Sequence, residues 1–149
     1  MASIKQGRED TKNRREMYLE EKIRTYFKNK KEVIVVYLFG SYAKSKQRPS
    51  SDIDIGILLD TTDQGFVKER RNEYMVELAR ILRKDIHPVI LNLAGEELLK
   101  QIFLKGKCIL VNDSRKLAQY KMVMFAKIAE FGYYRSQMQL GLIRKVMEG

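Results

Sequence analysis

Two aspartates, Asp52 and Asp54, stand at i and i+2 in the run Ser51-Asp52-Ile53-Asp54-Ile55-Gly56-Ile57. The alternating isoleucines mark a strand, so both carboxylates project from one face, roughly 6–7 Å apart. Two ionised carboxylates that close repel each other unless a cation lies between them. A hard dication such as Mg²⁺ takes oxygen ligands and fills its remaining positions with substrate phosphates. An Asp-x-Asp pair is therefore a two-metal platform for in-line attack on phosphorus. Upstream, an apolar run ends in Gly40-Ser41. Gly40 permits close backbone approach, and the Ser41 hydroxyl with the amides of a short helix at 42–44 can hold phosphate oxygens. Lys44, Lys46 and Arg48 can neutralise a polyphosphate tail, and Ser51 is placed in the same phosphate-binding set. Pairing the two strands would bring the phosphate cradle beside the dication site. That combination grips a triphosphate, coordinates the reacting phosphate and orients an acceptor hydroxyl, which is what nucleotidyl transfer needs.

Other elements must position these groups. Residues 9–29 read as a helix with Leu19, Ile23, Tyr26 and Phe27 on one stripe. Val33–Phe39 is β-branched and aromatic, a strand covered on both faces. Residues 52–59 form the second strand, with Asp52, Asp54, Gly56 and Leu58 on one face and Ile53, Ile55, Ile57 and Leu59 on the other. Residues 63–83 read as a helix with Val67, Tyr74, Leu78 and Ile81 inward, and residues 85–91 as a third strand. Pro88 inside that strand implies an edge position or a bulge. Glu96–Lys105 reads as a short helix and Lys107–Val111 as a strand, in which Cys108 is expected to be a buried small hydrophobe. Asp113 can cap a final helix running to about 148. The apolar residues of that helix, among them Leu117, Met124, Phe125 and Ile143, spread over more than one side. Such a helix has more to bury than one small sheet can cover, which makes a partner surface a competitor to simple core packing.

Length and composition narrow the class. The 149 residues suit one domain, expected as 1–149 with a basic N-terminal helix (1–31), a catalytic core (33–112) and a C-terminal helix (113–149). With 44% apolar and 32% charged residues the chain is neither disordered nor a membrane protein. No apolar signal core begins it, so the cytosol is the expected compartment. One cysteine and one histidine exclude a disulfide framework, a cysteine-built zinc site and any centre needing two imidazoles. The net charge of +10 is uneven: residues 1–31 hold ten basic and five acidic groups, whereas residues 51–112 hold nine and ten. Excess positive charge favours nucleotides, RNA or an acidic protein.

The motif Gly40-Ser41, ten residues, Asp52-Ile53-Asp54 resembles that of the minimal nucleotidyltransferases of the DNA polymerase β superfamily, often encoded beside a HEPN-domain partner. The resemblance continues through Val89-Ile90-Leu91-Asn92-Leu93-Ala94, Leu98-Leu99 and the stretch 102–110, and covers roughly residues 33–112. It implies an α+β fold, a small mixed sheet flanked by helices with a long C-terminal helix. It further implies that Gly40 and Ser41 contact the triphosphate of ATP and that Asp52 and Asp54 bind Mg²⁺. Such a family member would transfer AMP to a hydroxyl, here a tyrosine of a cognate HEPN toxin docked through the C-terminal helix. The chain would then be the antitoxin of a type VII-like pair and part of an oligomer.

The family's third carboxylate lies on the next strand, and here the chain departs from the pattern. Aligning on Leu91-Asn92 puts His87 where that carboxylate is expected, with Asp85 two residues earlier on the same face. Asp85 fills the position if a bulge at Pro88 shifts the register, as a third metal ligand. Alternatively His87 fills it as a general base, or the site lacks its third group. Two other functions remain: nucleotidyl transfer to RNA or a small alcohol, and an antitoxin that acts by binding alone.

Overall fold

The computed structural model describes residues 3–40 and 52–148. The polypeptide forms two compact units, 1–113 and 114–149. The first holds α1 (Ser3–Lys28), β1 (Val33–Phe39), β2 (Ile53–Leu59), α2 (Gln64–Leu82), β3 (Ile86–Ile90), a 3₁₀ turn (Leu91–Leu93), α3 (Glu96–Lys105) and β4 (Lys107–Val111). The second is one 35-residue helix, α4 (Ser114–Glu148).

The four strands make one mixed sheet in the order β3-β2-β1-β4. β1 pairs antiparallel with both β2 and β4, and β2 pairs parallel with β3. The two antiparallel ladders carry β1 as a central strand, which is why its run is apolar throughout and buried from Val33 to Leu38. A register shift lies between Val33 and Val35. One extra residue there lets Val33 and Val36, three apart, reach the same core.

That core lies on the sheet face covered by α1 and α2. Ile53, Ile55, Ile57 and Leu59 of β2 meet Ile23 and Phe27 of α1 and Val67, Tyr74, Leu78 and Leu82 of α2. The inward stripe of α2 thus runs through Leu82; Ile81, expected inward, is one position off it and exposed. Asp63 caps α2, its Oδ1 accepting from Gly65 N at 2.9 Å and Phe66 N at 3.2 Å. The opposite face carries Gly56, against which Leu91 and Ile102 pack, and Tyr37, whose ring meets Phe103 edge-on at 5.3 Å. Gly56 leaves little room there: a Cβ would sit 3.2 Å from Leu91, which would have to give slightly, and in ordinary contact with Ile102 at 3.5 Å.

Polar groups drawn into the fold find partners. Tyr26, Phe27 and Tyr74 pack edge-on, with Phe27 and Tyr74 centroids 5.1 Å apart. The Tyr74 hydroxyl donates to Glu32 at 2.8 Å and that of Tyr26 donates to Glu77. Burial, then these carboxylates, push both phenols well above their ordinary range. Glu20 is buried yet held by Lys107 Nζ at 2.5 Å and Arg24 Nη2 at 3.4 Å.

The structure also corrects the expectation for Cys108 and decides between the two alternatives for Pro88. Cys108 is exposed, because β4 is an edge strand whose Ile109 takes the inward position and alternation turns Cys108 outward. Pro88 marks an edge strand and no bulge: β3 borders the sheet, and its ladder with β2 runs in unbroken register through Ile55 and Pro88. The first helix also begins earlier than the apolar stripe suggests, at Ser3. No helix among the described residues is long and apolar enough to cross a membrane.

Candidate active site

Strand order decides which residues meet Asp54. It sits at the start of β2, between the end of β1 and the start of β3, paired with Phe39 on one side and His87 on the other. Gly56, on the same face two residues later, is covered by Leu91 and Ile102. Asp54 lies beyond that cover, with its side chain 28% exposed. The sheet thus offers a carboxylate at the open end of an otherwise packed face.

Both carboxylate oxygens of Asp54 have a neighbour. Oδ1 lies 3.0 Å from His87 Nδ1. Oδ2 faces Gly40, which follows β1 with φ +68°. A Cβ at Gly40 would fall 2.4 Å from Asp54 Oδ2, closer than any real contact allows. Glycine is favoured at this position by its left-handed backbone, and a Cβ there would also turn the Asp54 carboxylate out of its present place.

Asp52 lies one residue before β2 and is exposed. Asp85 is exposed too, and its backbone carbonyl accepts from Ile53 N at 2.9 Å. Because Ile53 pairs with Ile86, Asp85 falls level with Asp52, and His87 level with Asp54. The geometry therefore brings Gly40, Asp54 and His87 together and sets Asp52 and Asp85 two positions further out, just before the first pair of the ladder. Among the described residues no three His, Cys, Asp or Glu side chains converge closely enough to hold a metal ion. Asp54, with Asp52 two residues before it, still matches the donor chemistry of Mg²⁺, which is commonly held by one or two protein carboxylates, with phosphates and water completing its shell. Ser41, Lys44, Lys46, Arg48 and Ser51, with the short helix expected at 42–44, lie outside the described residues.

Asn92 was legible only as part of a longer resemblance, yet it holds the site's strand in place. Its Oδ1 accepts from Leu59 N at 2.9 Å, and its Nδ2 donates to Leu59 O at 2.7 Å and Thr61 O at 3.3 Å. An amide side chain thus continues the ladder where β3 gives way to the 3₁₀ turn. The available signal was a lone amide inside the apolar run Val89–Leu93.

A mixed sheet that presents an Asp-x-Asp at the start of one strand, beside a left-handed glycine ending its antiparallel neighbour, has the framework of a nucleotidyl-transfer enzyme. Residues 21–115 match the family described as Polymerase beta, Nucleotidyltransferase, and the chain belongs to that family. It is similar to the protein adenylyltransferase MntA of Shewanella oneidensis, with 38% identity over 73 residues. That alignment spans 49% of this chain and about half, 50%, of MntA. Its fold is similar to a chain in a crystal structure of a toxin-antitoxin with AMP-PNP, with TM-score 0.62 and 28% identity, covering 86% of this chain and 98% of the other. It is likewise similar to a chain in a structure of a tri-AMPylated Shewanella oneidensis HEPN toxin in complex with MNT antitoxin. There the TM-score is 0.58 and the identity 26%, over 89% and 98% of the two chains.

Proposed function

We propose that this chain is a Mg²⁺-dependent adenylyltransferase that moves AMP from ATP to a tyrosine hydroxyl of a HEPN-type toxin and thereby acts as its antitoxin. The observation that carries the reading is Asp54, open at the sheet end between Gly40 and His87, with Asp52 exposed one residue before the strand. The similarity to MntA and to toxin-antitoxin chains, one with AMP-PNP and one with an AMPylated HEPN toxin, supports the donor and the acceptor class. The cytoplasm is the compartment in which such a pair would work.

The step follows from ordinary phosphoryl chemistry. The acceptor oxygen forms a bond to the α-phosphorus of ATP as the α–β anhydride bond breaks, pyrophosphate leaves, and the acceptor proton passes to a neighbouring base or to water. Asp52 and Asp54 would hold the dication, which supplies charge neutralisation at the reacting phosphate when bound. The triphosphate is proposed to lie beside Gly40 and Asp54, with Ser41, Ser51, Lys44 and Arg48 around its phosphates. Asp85, level with Asp52, is proposed as the outer carboxylate of the site.

Docking of the toxin is assigned to α4. Its Met122, Val123, Tyr133, Met138, Ile143 and Met147 are exposed, an apolar content unusual for a surface that meets only water.

The test is transfer of a radioactive α-phosphate from ATP into a lysate of the source cells. A labelled protein of HEPN-toxin mass, carrying the adenylyl group on tyrosine, is the expected result. Label in RNA or in a small alcohol would replace the protein acceptor with that one. Protection from the toxin with no label anywhere would replace transfer by neutralisation through binding.

A further inference from the structure

We propose that His87 is a positioning residue for Asp54: its Nδ1–H holds Oδ1, fixing the carboxylate plane so that Oδ2 stays turned to the metal and triphosphate side at Gly40. The inference rests on the nucleotidyl-transfer reading and adds a role for a side chain that stands where a carboxylate is expected.

An aspartate does not set its own carboxylate plane. The terminal torsion joins an sp³ to an sp² carbon and is broad, so partners must define the plane. Asp54 has one on each flank. On the β1 side, Oδ2 fills the space that a side chain at Gly40 would take. On the β3 side, His87 Nδ1 stands 3.0 Å from Oδ1. A nitrogen–oxygen distance of 3.0 Å is an ordinary hydrogen bond. In the tautomer with hydrogen on Nδ1 it donates to the carboxylate, as outer partners of ligating carboxylates commonly do.

The imidazole is itself held by sequence-local means. His87 lies between Ile86 and Pro88, both buried, in the unbroken parallel ladder with β2. Proline confines the residue before it to extended backbone, so Pro88 keeps His87 in the strand conformation that aims its ring at Asp54. Pro88 also fixes its own φ without costing an inner-strand hydrogen bond, because β3 borders the sheet. The departure from the family's pattern and the proline in the strand thus have one explanation. The His87 side chain is 60% exposed, so packing alone gives it little reason to be there.

The experiment uses the full chain with Mn²⁺ as a spectroscopic substitute for Mg²⁺ and a non-hydrolysable ATP analogue. Free and bound Mn²⁺ are read by electron paramagnetic resonance for the unmodified chain, His87→Ala, His87→Asn and Asp54→Asn, with melting curves alongside. Loss of an outer-shell partner typically weakens metal binding about 10- to 100-fold, and His87→Ala is expected to fall in that range with an unchanged melting midpoint. His87→Asn, whose amide N–H can stand in for Nδ1–H, should recover most of the loss. If His87→Ala binds Mn²⁺ as tightly as the unmodified chain while Asp54→Asn does not, the positioning role is overturned and the metal site stands. If Asn fails to recover what Ala loses, positioning through the N–H is likewise overturned. If the unmodified chain binds no Mn²⁺ at all, the nucleotidyl-transfer reading itself fails and takes the inference with it.

Discussion

His87 and Asp54 occupy paired positions on adjacent parallel strands, with Nδ1 and Oδ1 3.0 Å apart. The pairing joins the one histidine of the chain to the second aspartate of its Asp-x-Asp motif. It also locates the site: Gly40, Asp54 and His87 gather where β1 ends and β2 and β3 begin.

Gly40 is the first place to test that location. Replacing it by alanine forces a left-handed alanine and drives a methyl into Asp54 Oδ2. The backbone alone should cost about 1–2 kcal/mol in urea unfolding. Nucleotidyl transfer should fall much further than that loss of stability explains, because the methyl occupies the carboxylate's own space.

Asn92 offers a contrasting case, structural and away from the chemistry. Asn92→Ala leaves the Leu59 amide and carbonyl without their side-chain partner, and Leu59 is buried. An unsatisfied buried group costs about 1–3 kcal/mol. Chemical denaturation should show a loss of that order, and Asn92→Asp should restore at most the bond from Leu59 N.

The cap of α2 predicts a smaller effect. Asp63→Ala removes the acceptor for Gly65 N and Phe66 N and should cost about 1 kcal/mol. Catalysis by the folded protein should be unchanged, since the helix packs on the sheet face opposite to the Asp54 carboxylate.

Much of this was readable in advance. β-branched runs and turn residues located β1, α3 and β4 to the residue, because periodicity and glycine act locally. The Asp-x-Asp pair was legible as a local pattern, although the strand expected from Asp52 begins at Ile53 and leaves Asp52 just outside it. What escaped depended on neighbours distant in sequence. Cys108 looked buried because its strand is apolar, but edge position is a property of strand order. Ile81 and Leu82 are equally apolar, and only the angle of α2 on the sheet selects Leu82. The register of β3 against β2 decided between a bulge and a plain edge at Pro88, and no local pattern encodes a parallel register. The close approach of Gly40 to Asp54 likewise needed both strands in place.

Alkaline stability should report the buried phenols. Tyr37 is pushed up to about 12, first by burial and then by Cys108, while Tyr26 and Tyr74 are raised by burial and their carboxylate partners. A raised folded-state value means the neutral form is favoured in the fold. Stability from these groups is therefore complete below the ordinary tyrosine value of about 10 and is lost as pH rises above it. Unfolding midpoints followed by tyrosinate absorbance should fall from about pH 10 upward, with the Tyr37 contribution exhausted near 12. A Tyr37→Phe variant should lose stability less steeply in that window.

The central claim is that Asp52 and Asp54 transfer AMP to a partner protein. Its most direct test is mass spectrometry of the partner captured from source cells, after incubation with ATP and Mg²⁺ and either the unmodified chain or an Asp52→Asn, Asp54→Asn double variant. Metal-borne stabilisation of several kcal/mol corresponds to at least about a hundredfold in rate. The account predicts adenylylated tyrosine with the unmodified chain and at least about a hundredfold less with the variant. Equal adenylylation with both proteins, or none with either while both still neutralise the partner, would contradict it.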